Sequence, residues 1–240
     1  MKKYYSIMLD IEEKPCTIIG GGRVAERKAL SLLEHGANVT VISPEATEKL
    51  QALAADAKIE YVKRAYMPGD LKGSKLVYVA TNNLEVSRDC RLEAEAEDII
   101  INVVDVPSLC DFIVPAVVKR GELTISVSTN GCSPMLSRRL REELEEAYGE
   151  EYGDYVAILG ALRTIAMKEL KDIKLREELF RTIVYDEKIG QGLKSQVVKD
   201  YDNSNIYINT NKNTNLSTRE KLEALVFEVY KNFKKGKGVD

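Results

Sequence analysis

The 240-residue chain carries 35 Lys and Arg against 38 Asp and Glu, a formal net charge of -3, which argues against a general nucleic-acid binder. Its 44% hydrophobic content is ordinary for a soluble globular chain, no apolar run approaches the ~20 residues of a membrane span, and Met1-Lys2-Lys3-Tyr4-Tyr5 has no apolar signal core, so a cytoplasmic protein is expected. One histidine, His35, and four scattered cysteines with no C-x-x-C pair exclude a multi-histidine zinc site and a zinc knuckle, and no metal ligands are assigned.

The first half alternates between strand-like and helix-like segments. Cys16-Thr17-Ile18-Ile19 is a β-branched run that ends in three glycines. Residues 24–35 repeat small and apolar positions at Ala25, Ala29, Leu32 and Leu33, one face of a helix that Gly36 stops. Val39-Thr40-Val41-Ile42 is the next strand. Ser43-Pro44 then reads as an N-cap followed by proline at the first helical position, opening a helix to about residue 55. Strands follow at 59–62, 76–80 and 99–104, with a helix over 84–97 between the last two. Strands separated by helices of this length predict right-handed βαβ crossovers and a parallel sheet covered on both faces. The expected fold class is therefore α/β, a Rossmann-type doubly wound sheet whose ligand lies off the carboxyl ends of the strands.

After Asp105 the pattern changes. Residues 112–118 are apolar, Arg120-Gly121-Glu122 reads as a turn, and residues 123–128 alternate as a strand does. Ser133-Pro134 opens a helix to about residue 148, and helices are expected over 154–171 and 175–189. Six asparagines between Asn203 and Asn215 mark a polar loop. Ser217-Thr218-Arg219-Glu220 is a capping box for a last helix carrying Leu222, Leu225, Val226, Val229 and Phe233 on one face. The lysine-rich tail, residues 234–237, reads as a solvated, frayed end.

Gly20-Gly21-Gly22-Arg23-Val24-Ala25 matches G-x-G-x-x-A between a strand and a helix, the context a dinucleotide turn requires. Gly20 permits the turn, Gly22 removes a Cβ from the path of a pyrophosphate, and Ala25 lets the helix approach the sheet. Arg23 and Val24 then begin a helix whose free N–H groups face the phosphates. The second strand ends Ile42-Ser43-Pro44-Glu45. Ser43 can hydrogen-bond a ribose, and no arginine stands there for a 2′-phosphate, so NAD is favoured over NADP.

Five further stretches accompany the glycine turn. They are Ala80-Thr81-Asn82-Asn83, Asn102-Val103-Val104-Asp105, Cys110-Asp111-Phe112-Ile113-Val114-Pro115-Ala116, Ser128-Thr129-Asn130-Gly131-Cys132-Ser133-Pro134 and Arg138-Arg139-Leu140-Arg141. Together, over about residues 4–148, they resemble the precorrin-2 dehydrogenase family, the N-terminal module of siroheme synthases. The resemblance implies NAD-dependent oxidation of precorrin-2 to sirohydrochlorin, with ferrous iron insertion added in some members. It implies an NAD-binding domain over residues 1–112, a dimerisation region over 113–148, a helical C-terminal domain over 149–240, and a homodimer. By the same resemblance the NAD contacts fall on Gly22, Arg23, Val24, Ser43, Pro44, Glu45, Thr81 and Asn82. The family's key carboxylate falls on Asp105, and a hydroxyl that affects tetrapyrrole binding falls on Thr129, beside Ser128. Asn83 stands where the family usually has an aspartate.

Asp105 follows a buried strand, so it is placed to take the proton a reduced tetrapyrrole must lose alongside a hydride, and burial is expected to raise its pKa. The polyanionic substrate requires local positive charge. Arg138, Arg139 and Arg141 cannot all face it, and Arg138 with Ser128, Thr129 and Asn130 is taken as the substrate set. His35 lies at the helix end away from the ligand side, where a dipole role fits better than catalysis. The competing readings are a bifunctional dehydrogenase and ferrochelatase, and an NAD-sensing regulatory protein that would need the glycine turn but not Asp105.

Overall fold

The computed structural model describes residues 2–194 and 217–239, and the chain divides into two compact units, Met1–Val114 and Pro115–Asp240.

The first unit contains β1 (Pro15–Ile19), α1 (Arg23–Glu34), β2 (Asn38–Ile42), α2 (Glu48–Ala55), β3 (Glu60–Val62), β4 (Leu76–Val79), α3 (Leu84–Ala96) and β5 (Ile100–Val103). The five strands form one parallel sheet in the order β3-β2-β1-β4-β5. The order reverses between β1 and β4, the switch point where doubly wound sheets take their ligands. Ile18, Val41, Ala25, Ala29, Leu32 and Leu50 pack on one face of the sheet, and Val77, Val79, Ile101, Cys90 and Ala94 on the other. The small residues of α1 are fully buried, which lets that helix lie close on β1. Gly36, at φ +73°, ends α1, and His35 is its C-cap, with Nδ1 2.7 Å from the Ser31 carbonyl oxygen.

The Ser43-Pro44 expectation is corrected. Residues 43–46 form an extended bend, and Thr47 is the N-cap of α2, its Oγ1 accepting from Leu50 N–H. Tertiary bonds hold the bend open: Ser43 N–H donates to Val62 O at 3.2 Å, and Thr47 N–H donates to Gly21 O at 2.9 Å. A helix beginning at Pro44 would instead turn the Thr47 N–H to Ser43 O.

The second unit opens with an antiparallel hairpin, β6 (Ala116–Arg120) and β7 (Leu123–Val127), turning at Gly121 with φ +55°. Next come α4 (Pro134–Ala147), α5 (Glu151–Glu169), α6 (Ile173–Val184), α7 (Glu187–Lys194) and α8 (Thr218–Lys237). Leu162, Leu179, Ile183, Ile189, Leu222 and Val226 make the core of the helical part. The single helix expected over 175–189 is two helices. Asp186 Oδ1 accepts from Lys188 and Ile189 N–H, starting α7 and ending the run. The capping box of α8 forms in both directions, with Ser217 Oγ accepting from Glu220 N–H and Glu220 accepting from Ser217 N–H. The tail is not frayed: α8 runs to Lys237, Lys234 pairs with Glu169 at 2.8 Å, and Lys237 pairs with Glu178 at 2.7 Å. The Asn203–Asn215 segment lies outside the described residues.

Candidate functional site

The carboxyl ends of the parallel strands assemble the first-unit candidates on one rim. Gly20 N–H donates to Ile42 O at 2.9 Å, Ala80 N–H to Ile19 O at 2.7 Å, and Val104 N–H to Val79 O at 2.9 Å. These bonds carry the pairing of β1, β2, β4 and β5 one step past the strands. They bring the glycine turn, the Ser43–Glu45 corner, the Thr81-Asn82 turn and Asp105 to the same edge.

The three glycines of the turn have different reasons. A Cβ on Gly20, at φ +120°, would meet Ala80 O at 2.3 Å, and one on Gly21 would meet Glu45 O at 1.9 Å. Both are packing constraints internal to the rim. Gly22 has an ordinary φ of -81°, and a Cβ there would have nothing within 4 Å. Neither strain nor packing inside the chain explains that glycine, whereas close approach of a ligand does.

Gly22 is also the N-cap of α1, and no side chain among the described residues caps it. In the same unit Thr47 caps α2 and Asn83 caps α3. The leading N–H groups of α1, at Arg23 and Val24, therefore have no intrahelical partner and face the space in front of Gly22. An open, uncapped, glycine-lined helix start fits a pyrophosphate.

Ser43 is buried, its carbonyl accepts from Tyr61 Oη at 3.1 Å, and its hydroxyl has no partner among the described residues. Pro44 and Glu45 are exposed beside it. Thr81 Oγ1 accepts from Asn83 N–H at 3.3 Å, and Asn82 is exposed. Asn83 does the local work that a family aspartate would do, since its Oδ1 accepts from Glu85 and Val86 N–H.

Asp105 stands just past β5 with φ +62°, a left-handed conformation that aspartate tolerates better than most residues. It is exposed, so the expected burial does not hold within the chain, and its carboxylate has no hydrogen-bond or ion-pair partner among the described residues. Backbone bonds, not the Asp105 side chain, close the turn, with Val106 N–H donating to Val103 O at 3.2 Å. Asp111 is committed elsewhere: it holds Arg91 at 2.5 Å and accepts from Ile101 N–H at 3.1 Å.

The other expected substrate residues lie in the second unit, around the β7–α4 loop. Thr129 Oγ1 donates to Ser133 O and accepts from Ser133 N–H, both at 3.0 Å, and lies 3.1 Å from Ser137 Oγ. Its hydroxyl is thus occupied in shaping the loop. Ser128 Oγ accepts from Asn130 N–H at 3.1 Å, and Asn130 and Gly131 both have positive φ. Arg138 is exposed on α4 and pairs with Glu142 at 2.9 Å, which holds the Glu142 carboxyl below its ordinary value. Arg139 and Arg141 pair in the same way with Glu143 and Glu145. Arg120 is consumed structurally, donating to Tyr148 O and Glu145 O at the end of α4.

An open cavity of about 410 Å³ in the second unit is lined by Glu122, Glu150 and Asp154 with Gly121, Gly153 and Ala157. Its acidic wall is ill-suited to a polyanion, so the rim and not this cavity is the better ligand site. Among the described residues no group of three or more His, Cys, Asp or Glu is gathered to hold a metal ion, and no helix is long and apolar enough to cross a membrane.

Residues 7–116 match a family of NAD(P)-binding domains, and residues 120–147 match the sirohaem biosynthesis protein central family. A siroheme synthase of Methylobacillus flagellatus is 36% identical over 189 residues, covering 79% of this chain and 40% of that protein. A siroheme synthase of Pseudoalteromonas atlantica is 37% identical over 158 residues, covering 66% of this chain and 33% of that protein. The chain thus spans less than half the length of these curated relatives. The solved structure of SirC, a precorrin-2 dehydrogenase, superposes with a TM-score of 0.69 at 26% identity, covering 82% of this chain and 100% of that one. Residues 7–147 therefore hold, in order, an NAD(P)-binding domain and the central region of the sirohaem biosynthesis family, an arrangement this chain shares with siroheme synthases.

Proposed function

We propose that this chain is an NAD-dependent precorrin-2 dehydrogenase that forms sirohydrochlorin for siroheme synthesis. One observation carries the reading. An uncapped helix start, opened by Gly22, shares a strand rim with an exposed carboxylate, Asp105, that no other side chain among the described residues engages. The likeness to SirC supports the substrate.

Gly22, Arg23 and Val24 hold the pyrophosphate through backbone N–H groups and the positive helix end, while Gly20, whose own N–H is bonded to Ile42 O, makes the turn that brings them there. Ser43 offers its unpaired hydroxyl to a ribose, with Pro44 and Glu45 bounding that pocket. The Glu45 carboxylate disfavours a 2′-phosphate, which selects NAD over NADP. Thr81 and Asn82 border the cofactor from the β4 side. NAD, when bound, supplies the hydride acceptor. Oxidation removes two hydrogens from precorrin-2, one as hydride and one as a proton. Asp105 accepts that proton on a carboxylate oxygen and passes it to water. Ser128, Asn130 and Arg138 form the substrate-binding set, with Thr129 shaping the loop that presents Ser128 and Asn130. Arg138 leaves Glu142 for a substrate carboxylate at little cost, because an exposed ion pair is weak in water.

The same reading includes a homodimer through residues 113–148, with 149–240 as a helical domain. Its support is the β6–β7 hairpin. A two-stranded sheet is marginal alone and presents unpaired edges that a second copy can extend. Exposed Val117 lies on β6, and exposed Met135 and Leu136 lie on α4 of the same region. Light scattering is expected to give twice the chain mass.

The activity is tested anaerobically with precorrin-2 and NAD, with and without ferrous iron. NADH and the sirohydrochlorin absorbance are expected together, and their absence rejects the reading. Siroheme formed only when iron is supplied would add a chelatase activity.

A further inference from the structure

The glycine-turn helix carries a second charged group that the reading above does not use. Lys28 of α1 is half-buried, with Nζ 4.7 Å from the ring centroid of Tyr78 in β4. Other partly buried cations among the described residues have polar partners: Arg91 has Asp111, Arg141 has Glu145, Lys234 has Glu169, and Arg176 donates to the Leu170 and Lys171 carbonyls. Lys28 has none among the described residues. Loss of hydration lowers its pKa, as does the neighbouring Arg27, and no carboxylate offsets either effect. An ammonium drawn partly out of water without a counter-charge is costly, and the Tyr78 face compensates only in part.

Its surroundings are polar on one side. Tyr78 pairs in register with Asn102 of β5, three positions before Asp105. Asn102 Nδ2 donates to Phe112 O at 2.8 Å, while its Oδ1 has no partner among the described residues. Burial along β5 alternates: Ile101 and Val103 are sealed, whereas Ile100 and Asn102 are half-open. On the α1 face β4 is sealed, with Phe112 packed edge-on against Tyr78, and β5 is only half-covered below the turn that bears Asp105.

We infer that Lys28 is an anchor for one carboxylate of the tetrapyrrole, held at the half-open β5 side of the α1 face, below the turn that bears Asp105. This rests on the dehydrogenase reading and names how its substrate is oriented. A dinucleotide phosphate is the less suitable occupant, because the leading N–H groups that serve phosphates lie at Gly22–Val24, more than a helical turn earlier. The ribose corner at Ser43–Glu45 also lies on the opposite, β2 side of β1. A single ammonium on the β4 side leaves an entire face of the ring free to meet the rim acid.

The test uses the full chain with sirohydrochlorin as the binding probe and precorrin-2 as substrate. Lys28→Met keeps the apolar stem and removes the charge. It is expected to weaken sirohydrochlorin binding and raise the precorrin-2 KM by about ten- to a hundredfold, with NAD affinity unchanged. Lys28→Arg is expected to restore most of that loss, which a packing role alone would not allow. Unchanged sirohydrochlorin affinity in Lys28→Met overturns the anchor, as does an equal loss of NAD affinity or a wild-type chain that binds no sirohydrochlorin. A wild-type chain that binds sirohydrochlorin but makes no NADH defeats the dehydrogenase reading instead, and the anchor is then decided by the binding comparison alone.

Discussion

Gly21 lies so close to Glu45 that an added Cβ would stand 1.9 Å from the Glu45 carbonyl oxygen and 2.8 Å from the Ala46 Cα. This contact presses the end of β2 onto the start of the first crossover, so the ribose corner and the phosphate turn are one rigid piece. Thr47 N–H, donating to Gly21 O at 2.9 Å, closes it from the other side.

The middle and last glycines of the turn are therefore predicted to fail differently. Gly21→Ala should destabilise the first unit by about 1–3 kcal/mol or more, because only backbone atoms can yield. Gly22→Asp should fold normally, since its Cβ meets open space and a carboxylate at an N-cap favours the helix. Its NAD affinity should fall tenfold or more, on the order of 1.4 kcal/mol. Urea unfolding and calorimetric titration with NAD separate the two effects.

Asp105→Asn keeps a residue that tolerates the left-handed turn at φ +62° while removing the proton acceptor. Turnover of precorrin-2 should drop by about 10²–10⁴-fold with NAD affinity intact. Asp105→Ala should lose the same activity and also about 1 kcal/mol of stability from backbone strain. NADH formation and urea midpoints distinguish the two variants.

Arg64 donates to both Asp70 oxygens at 2.7 Å, fastening the long connection before β4. That hydrogen bonding holds the Asp70 carboxyl below its ordinary value, with Met67 N–H assisting and burial opposing. A folded-state value below the unfolded one stabilises above about pH 4 and is lost as the pH falls through the folded value. Asp70→Asn should therefore destabilise the chain at neutral pH, and the difference from wild type should vanish in acid. Urea midpoints across that range would show whether the gap closes.

Leu222 is buried in the helical core, where α8 returns after the undescribed segment. Leu222→Ala should cost about 2–5 kcal/mol from lost burial and the cavity left behind. Thermal loss of helical circular dichroism measures it, and a change below about 0.5 kcal/mol would mean that α8 is not anchored there.

The amino-acid sequence by itself determined the strand–helix alternation of the first unit, the glycine turn, the α4 opening at Ser133-Pro134 and the capping box of α8. Each is a local signal, carried by side-chain periodicity or by one residue's backbone preference. The tertiary structure decided what depends on contacts distant in the chain. Ser43-Pro44 has cap chemistry, yet the bond of Thr47 N–H to Gly21 O delays the helix to Thr47. The tail lysines have the composition of a frayed end, yet Glu169 and Glu178 draw them into a helix. Lys28 and Tyr78 are 50 positions apart, and only the packing of α1 across β1 and β4 brings them together. Asp105 could be located at a strand end from its neighbours, but its exposure and lack of partners follow from how the β5 turn folds back through Val106. Local preferences act over a few residues, whereas the rim exists only once parallel pairing has aligned four separate strand ends.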